Sequence, residues 1–162
     1  MTDLQHMPGH LIRRFQQIAV AIFLAEVGDA GFDLTPVQFA ALVQIQASPG
    51  LDQATLAGLI AYDRTTIGGV VDRLVQKGWV ARDVSGRDRR ARELRITEEG
   101  RGVMAQVEPA VREAQRIMLA GLDPDEAAIF MRLLRKATAA ANELSRAPLR
   151  TATANTARPA NS

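Results

Sequence analysis

The sequence predicts a mainly α-helical fold carrying one small β-hairpin, and three observations predict it. Apolar residues recur at three- and four-residue steps over most of the chain. That period switches to alternation in one stretch, between Val80 and Ile96. Residues that start and stop helices fall where the periodic runs begin and end. The chain has 162 residues, 47% hydrophobic and 23% charged, which suits one soluble globular protein of ordinary size.

Residues 1–7 read as frayed. From Pro8 a long helix runs to about Asp29, with Leu11, Ile12, Phe15, Ile18, Ala19, Ile22 and Phe23 tracing a broad stripe. Val20, Ala21, Leu24 and Val27 widen the apolar surface, so the helix is expected to bury two sides, one against its own domain and one against a second copy. Gly28-Asp29-Ala30-Gly31 ends it. Thr35 as N-cap and Pro36 at the first helical position start the next helix, to which Phe39, Leu42 and Val43 give core contacts, and Ser48-Pro49-Gly50 stops it. Asp52 caps a short helix through Leu56, Leu59 and Ile60.

A second helix follows through Ala61 and Tyr62. Asp63 is its expected N-cap, with Tyr62 and Ile67 placed as a hydrophobic staple. Ile67, Val70, Val71, Leu74 and Val75 form the buried stripe, and Gly78 is the stop. The opposite face carries Arg64, Thr65, Thr66, Gly68, Gly69, Asp72, Arg73 and Gln76. Two glycines inside a helix cost about 1 kcal/mol each relative to alanine. Their place on the polar side suggests either a weak spot or a bare backbone where another surface comes close.

Past Gly78, Val80, Arg82 and Val84 share one face of a short strand, and Leu94 and Ile96 one face of a second, with Arg95 pointing away. Ser85-Gly86-Arg87-Asp88-Arg89-Arg90 is the loop between them. Residues 82–95 hold six arginines and three acids, a local charge of +3 in a chain whose total is +2. Arginine forks onto phosphate oxygens and enters narrow minor grooves. A capped helix with a polar face followed at once by a basic hairpin therefore has the parts of a two-groove duplex reader.

Thr97 closes the hairpin and caps another helix, with Glu98 and Glu99 in its first turn. Val103, Val107, Val111, Ala114, Ile117 and Met118 keep phase to about Gly121, so Pro109 is expected to kink this helix near residues 106–108 without ending it. Asp123, Pro124 and Glu126 make a full start signature for the last helix, carried by Phe130, Leu133, Leu134, Ala137 and Leu144 to Arg146. The Ala/Thr/Asn/Pro-rich residues 147–162 read as a disordered tail.

Several function classes fit poorly. Cysteine is absent, which excludes disulfides, thiolate metal sites and thiol redox sensing. With His6 and His10 as the two histidines, neither a metal site nor a cofactor is expected, and the Ser/His/Asp, HExxH and Gly-rich phosphate-loop patterns of enzymes are missing. Aromatics at 4% argue against single-strand stacking platforms. No apolar run near 18 residues is free of charge and no secretory leader is recognisable, so a cytoplasmic protein without a membrane partner is expected.

The runs LTPVQFAALVQI, DQATLAGLIAYDRTTIGGVVDRLVQKGWVAR and GRDRRARELRITEEG resemble the MarR family of bacterial winged helix-turn-helix transcription regulators, over roughly Leu34 to Gly102. The wing pattern from Asp83 to Thr97 is the most diagnostic part. The flanking helices match in placement but not in motif. The resemblance implies a winged helix-turn-helix DNA-binding domain at residues 34–97. Residues 1–30 and 98–146 would then be dimerisation helices, pairing through Leu11, Phe15, Ile18, Ile22, Phe130, Leu133 and Leu134. It implies a homodimer on double-stranded DNA, most simply a repressor at a pseudo-palindromic operator.

In that reading Thr65, Thr66 and Arg73 face the major groove, with Gly68 and Gly69 at the close approach and Arg64 at the helix start. Arg87, Arg89 and Arg90 contact the minor groove, with Asp88 pairing a wing arginine. Thr35 and Gln53, at helix N-termini, are candidates for phosphate contacts. Relatives of this kind often release DNA when a small organic acid, frequently aromatic, enters a crevice. Here its residues would be His10, Arg13, Arg14, Phe39 and Met118, with His10 and Arg14 four apart on one helix face. An activator, or a winged helix whose hairpin contacts protein without any small-molecule ligand, is the other reading of the same residues.

Overall fold

The structure, a computed structural model, describes residues 3–84, 86 and 92–151. The chain divides into two compact units: residues up to Pro36 together with Met104–Arg132, and Val37–Val103 together with the chain from Leu133 onward.

Helix α1 spans Pro8–Asp29 and buries Phe23 and Val27. Before it, residues expected to fray make a 3-10 turn, Leu4–His6, capped by Asp3, whose carboxylate accepts from the Gln5 N–H at 2.9 Å and meets His6 Nδ1 at 2.8 Å. The first unit packs Phe23, Val27 and Leu34 with Val107, Val111 and Ala114 as its buried residues. Phe15 meets Phe130 edge-on, ring centroids 5.5 Å apart.

In the second unit, helix α2 (Pro36–Ala47) turns Gln38, Ala41, Leu42 and Ile45 inward. The step from Leu42 to Ile45 sets the buried side, so Val43, expected in the core, is 38% exposed, and Phe39 is half-buried. Strand β1 (Leu51–Asp52) leads directly into helix α3 (Gln53–Leu59). Asp52 caps α3 as the sequence requires, accepting from the Thr55 N–H at 2.8 Å and the Thr55 hydroxyl at 2.6 Å. Helix α4 (Ile67–Gln76) buries Ile67, Val70, Val71 and Leu74. Its end is a paired closure in which Gly78 N–H donates to the Val75 carbonyl and Trp79 N–H to that of Leu74. Gly78 sits at φ +75°, a conformation glycine adopts without strain. The same closure ends α3, with Ala61 N–H to the Gly58 carbonyl and Tyr62 N–H to that of Ala57. There Ala61 takes the left-handed position at φ 50°, an uncommon conformation for a residue with a side chain.

Strands β2 (Val80–Val84) and β3 (Arg92–Ile96) pair antiparallel, with Val80 opposite Ile96 and Arg82 opposite Leu94. The sheet has a third member that a hairpin reading omits: β1 pairs with β3, Leu51 opposite Leu94, giving the order β1-β3-β2. Two residues are too short for a period to register in the sequence. The Gly50 N–H, donating to the Leu94 carbonyl at 2.8 Å, extends the pairing.

Helix α5 (Glu98–Met118) runs unbroken through Pro109 and stops three residues before the expected Gly121, and α6 spans Pro124–Ala140. The α6 start is a reciprocal capping box, Glu126 N–H to Asp123 at 2.9 Å and Asp123 N–H to Glu126 at 3.0 Å. Beyond Ala140 the helix does not continue to Arg146. A 3-10 turn, Asn142–Leu144, replaces it and leaves Leu144 89% exposed.

The wing base, the end of α4 and the start of α5 meet at one point. The Thr97 hydroxyl donates to the Gly78 carbonyl at 2.7 Å and accepts from the Gly100 N–H at 3.0 Å, while the Thr97 N–H donates to the Trp79 carbonyl at 3.0 Å. Gly100 is buried, and a Cβ on it would lie 2.2 Å from the Trp79 carbonyl oxygen and 2.9 Å from Ile96. That first atom is backbone and cannot yield cheaply. Gly100→Ala is therefore expected to cost about 1–3 kcal/mol, as overpacking does, read as a lower urea midpoint with an unchanged slope; an unaltered midpoint would refute this contact.

Candidate nucleic-acid interface

Helix α4 is strongly two-sided. Arg64, Thr65, Thr66, Gly69, Asp72, Arg73 and Gln76 are exposed, opposite the buried Ile67, Val70, Val71 and Leu74. Asp63 does not cap α4 directly, as expected from the sequence, but organises the turn that precedes it. One carboxylate oxygen accepts from the Thr65 N–H at 2.7 Å and the Thr65 hydroxyl at 2.6 Å, and the Asp63 carbonyl accepts from the Thr66 and Ile67 N–H groups. The helix proper starts at Ile67 because residues 64–66 form this tighter turn, a one-turn displacement of the boundary.

The hydrogen bonds from Thr65, side chain first and backbone second, hold the Asp63 carboxyl below the usual carboxylate range, with the Arg146 charge adding to the effect. A carboxylate with a lowered pKa contributes its stabilisation above its unfolded-state pKa and loses it as the pH falls through the lowered one. At neutral pH the turn is fully formed.

The two glycines differ. A Cβ on Gly68 would stand 3.4 Å from Gln53 Nε2, an ordinary van der Waals contact with the first turn of α3, whereas nothing lies within 4 Å of the same position on Gly69. Gly69 thus presents bare backbone outward. Among the described residues, the side chains of Arg64 and Arg73 make no hydrogen bond or ion pair, unlike those of Arg95, Arg101 and Arg116, which are committed to Glu93, Glu98 and Glu113.

Sequence reasoning missed one link. Arg82 on β2 donates to Asp72 on α4 at 2.6 Å, joining the reader helix to the wing strand. No spacing rule pairs residues ten apart across a turn, so the sequence carried no signal for it. The pair is partly exposed and its net stabilisation is small, about 0–1 kcal/mol.

The other predicted residues are distributed as follows. Gln53, half-buried at the start of α3, lies in the second unit with Arg64, Thr65, Thr66 and Arg73. Thr35 and Pro36, at the start of α2, belong to the first. Arg87, Asp88, Arg89 and Arg90 lie outside the described residues. His10, Arg13, Arg14 and Met118 belong to the first unit and Phe39 to the second. His10 and Met118 are half-buried, Arg13 and Arg14 exposed; Arg13 is tied to Gln17 at 2.9 Å. Among the described residues no group of three or more His, Asp or Glu side chains is placed to hold a metal ion, and no helix is long and apolar enough to cross a membrane.

This geometry has close counterparts. A MarR family model matches residues 32–91. The HTH-type transcriptional repressor NicR of Pseudomonas putida is 31% identical over 134 residues, 83% of this chain and 84% of that protein. The transcriptional regulator PcaV of Streptomyces coelicolor, solved with its natural ligand, superposes with a TM-score of 0.80 at 35% identity, over 87% of this chain and 98% of that one. BpsR of Bordetella bronchiseptica, whose DNA binding is regulated by 6-hydroxynicotinic acid, gives 0.78 at 28% identity, over 85% of this chain and 97% of that one. With the exposed reader helix and its three-stranded wing base, these matches settle the family: the chain belongs to the MarR family of winged helix-turn-helix transcription regulators.

Proposed function

We propose that the protein is a ligand-responsive transcriptional repressor. In this reading it binds a pseudo-palindromic operator as a homodimer and is released by a small organic acid, most simply an aromatic one. The observation that carries the DNA half is the α4 face, where Thr65, Thr66 and Gly69 are exposed and Arg64 and Arg73 are free of partners among the described residues. Thr65, Thr66 and Arg73 read base edges in the major groove, Arg64 and Gln53 seat phosphates, and the wing arginines Arg87, Arg89 and Arg90 enter the minor groove.

Dimerisation is supported by apolar surface that this chain leaves open. Leu11 is 47%, Ile18 49% and Leu133 49% exposed, and α6 buries no residue. Two-fold symmetry then spaces the two reader helices by about 34 Å, one turn of DNA.

The effector reading rests on α1. His10 and Arg14 share a helix face, and Arg14 makes no hydrogen bond or ion pair among the described residues, so its guanidinium is available to a carboxylate. NicR is named as a repressor and BpsR responds to a hydroxylated aromatic acid, which supports the same assignments here.

Three outcomes follow. Arg73→Ala removes the preference for operator over scrambled duplex by about 1–3 kcal/mol in a competition titration. Arg89→Ala instead weakens both duplexes alike and lowers the slope of log K against log salt by about one per protomer; an unchanged slope removes the wing from the interface. Arg14→Ala raises the concentration of a hydroxylated aromatic acid needed to release operator by about tenfold, the loss of one charge-assisted hydrogen bond, and leaves operator affinity alone. Equal release of wild type and variant by such acids would exclude Arg14.

A further inference from the structure

The last described residues do not trail from α6. The Asn142 side chain grips the backbone of Leu149 from both directions, its carbonyl accepting from the Leu149 N–H at 2.8 Å and its amide donating to the Leu149 carbonyl at 3.1 Å. One residue on, the Arg150 N–H donates to the Gly58 carbonyl at the end of α3 at 2.8 Å, and Gly58 has no side chain where Arg150 Cβ and Cγ lie, 3.2 Å from where a Cβ would stand. The Arg150 guanidinium is held by Glu143 at 3.0 Å. Residues 147–151, whose composition reads as disordered, thus form a strap across the helix-turn-helix. Short-range composition misses it because its partners, Asn142 and Gly58, lie outside the segment.

The strap closes one wall of a cleft. Gly58 of α3 and Tyr62, Asp63 and Arg64 before α4 line the same cleft as Arg146, Ala147, Pro148 and Arg150. Three guanidinium groups and one carboxylate line it. One oxygen of that carboxylate is taken by Thr65, and Arg150 is offset by Glu143. The side chains of Arg64 and Arg146 make no hydrogen bond or salt bridge among the described residues. Two guanidinium groups without a salt bridge among the described residues, Arg64 and Arg146, therefore line one open cleft together with the Asp63 carboxylate, on which the Arg146 charge acts.

We infer that this cleft seats a backbone phosphate of the operator, with Arg146, delivered by the C-terminal strap, clamping it together with Arg64 before the reader helix. The inference rests on the DNA-binding reading and extends the interface to a segment outside the winged domain. The contact is to phosphate, so it adds affinity without sequence preference. The strap acts as a positioning element: Asn142 and Gly58 fix the backbone and so spare Arg146 part of the ordering cost on binding.

The test is titration of full-length protein with operator and scrambled duplex across a salt series. Arg146→Ala is expected to weaken both duplexes to a similar extent and to lower the salt slope by about 0.9 per protomer, with Arg146→Lys restoring the slope. Asn142→Ala, which unseats the strap, is expected to reproduce the Arg146→Ala loss, and the double variant to lose nothing further. Thermal melts of each variant verify that the fold is kept. An unchanged slope in Arg146→Ala, in a protein whose Arg73→Ala variant has lost operator preference, overturns the phosphate clamp while leaving the regulator reading intact. Wild-type protein without salt-dependent duplex binding overturns both.

Discussion

The second unit is organised by the junction at Thr97, where one hydroxyl donates to the Gly78 carbonyl just past the end of α4 and accepts from the Gly100 N–H in the first turn of α5. Helix ends leave carbonyls and N–H groups without intrahelical partners, and each needs one. Here a single side chain serves two ends at once, and the Trp79 carbonyl is served by the Thr97 backbone. Gly100 permits the approach, since any side chain would meet the Trp79 carbonyl. The reader helix, wing and α5 therefore share one anchor, and the direction in which α4 points is coupled to the base of the wing.

That coupling explains the division of charge on the surface. Several arginines away from the outer face of α4 are neutralised locally, Arg82 by Asp72, Arg101 by Glu98 and Arg112 by Glu108, although Arg14 and Arg146 are not. Those at the start and along the outer face of the reader helix are not. An exposed guanidinium that already holds a carboxylate must surrender it to meet a phosphate; Arg64 and Arg73 carry no such cost.

Much of this was legible in the sequence where the signal is local. Asp52, the capping box of Asp123 and Glu126, the Gly78 stop and the stripe of α4 are patterns that span a few residues, and the structure has each of them. Three of the misses share one physical origin, namely interactions between residues in different elements. Strand β1 exists because Leu94 is there to pair with it, and Arg82 meets Asp72 across a turn. Residues 147–151 are ordered because Asn142 and Gly58 receive them. Val43 was misplaced for a different reason: α2 is apolar nearly all round, so periodicity could not say which side is buried. For the candidate site, the exposed face of α4 was readable because amphipathicity marks it, and Gln53 was named from its place at a helix start, while its nearness to Gly68 joins two helices and carries no local signal.

The order β1-β3-β2 has an evolutionary corollary. The strand returning from the hairpin tip is laced on both margins, to Leu51 and Asp52 on one side and to Val80–Val84 on the other. Its register is set independently of the tip that precedes it. Insertions or deletions between residues 84 and 92 can therefore accumulate without re-threading the sheet beneath, so the length of that connection is free to drift while the scaffold stays put.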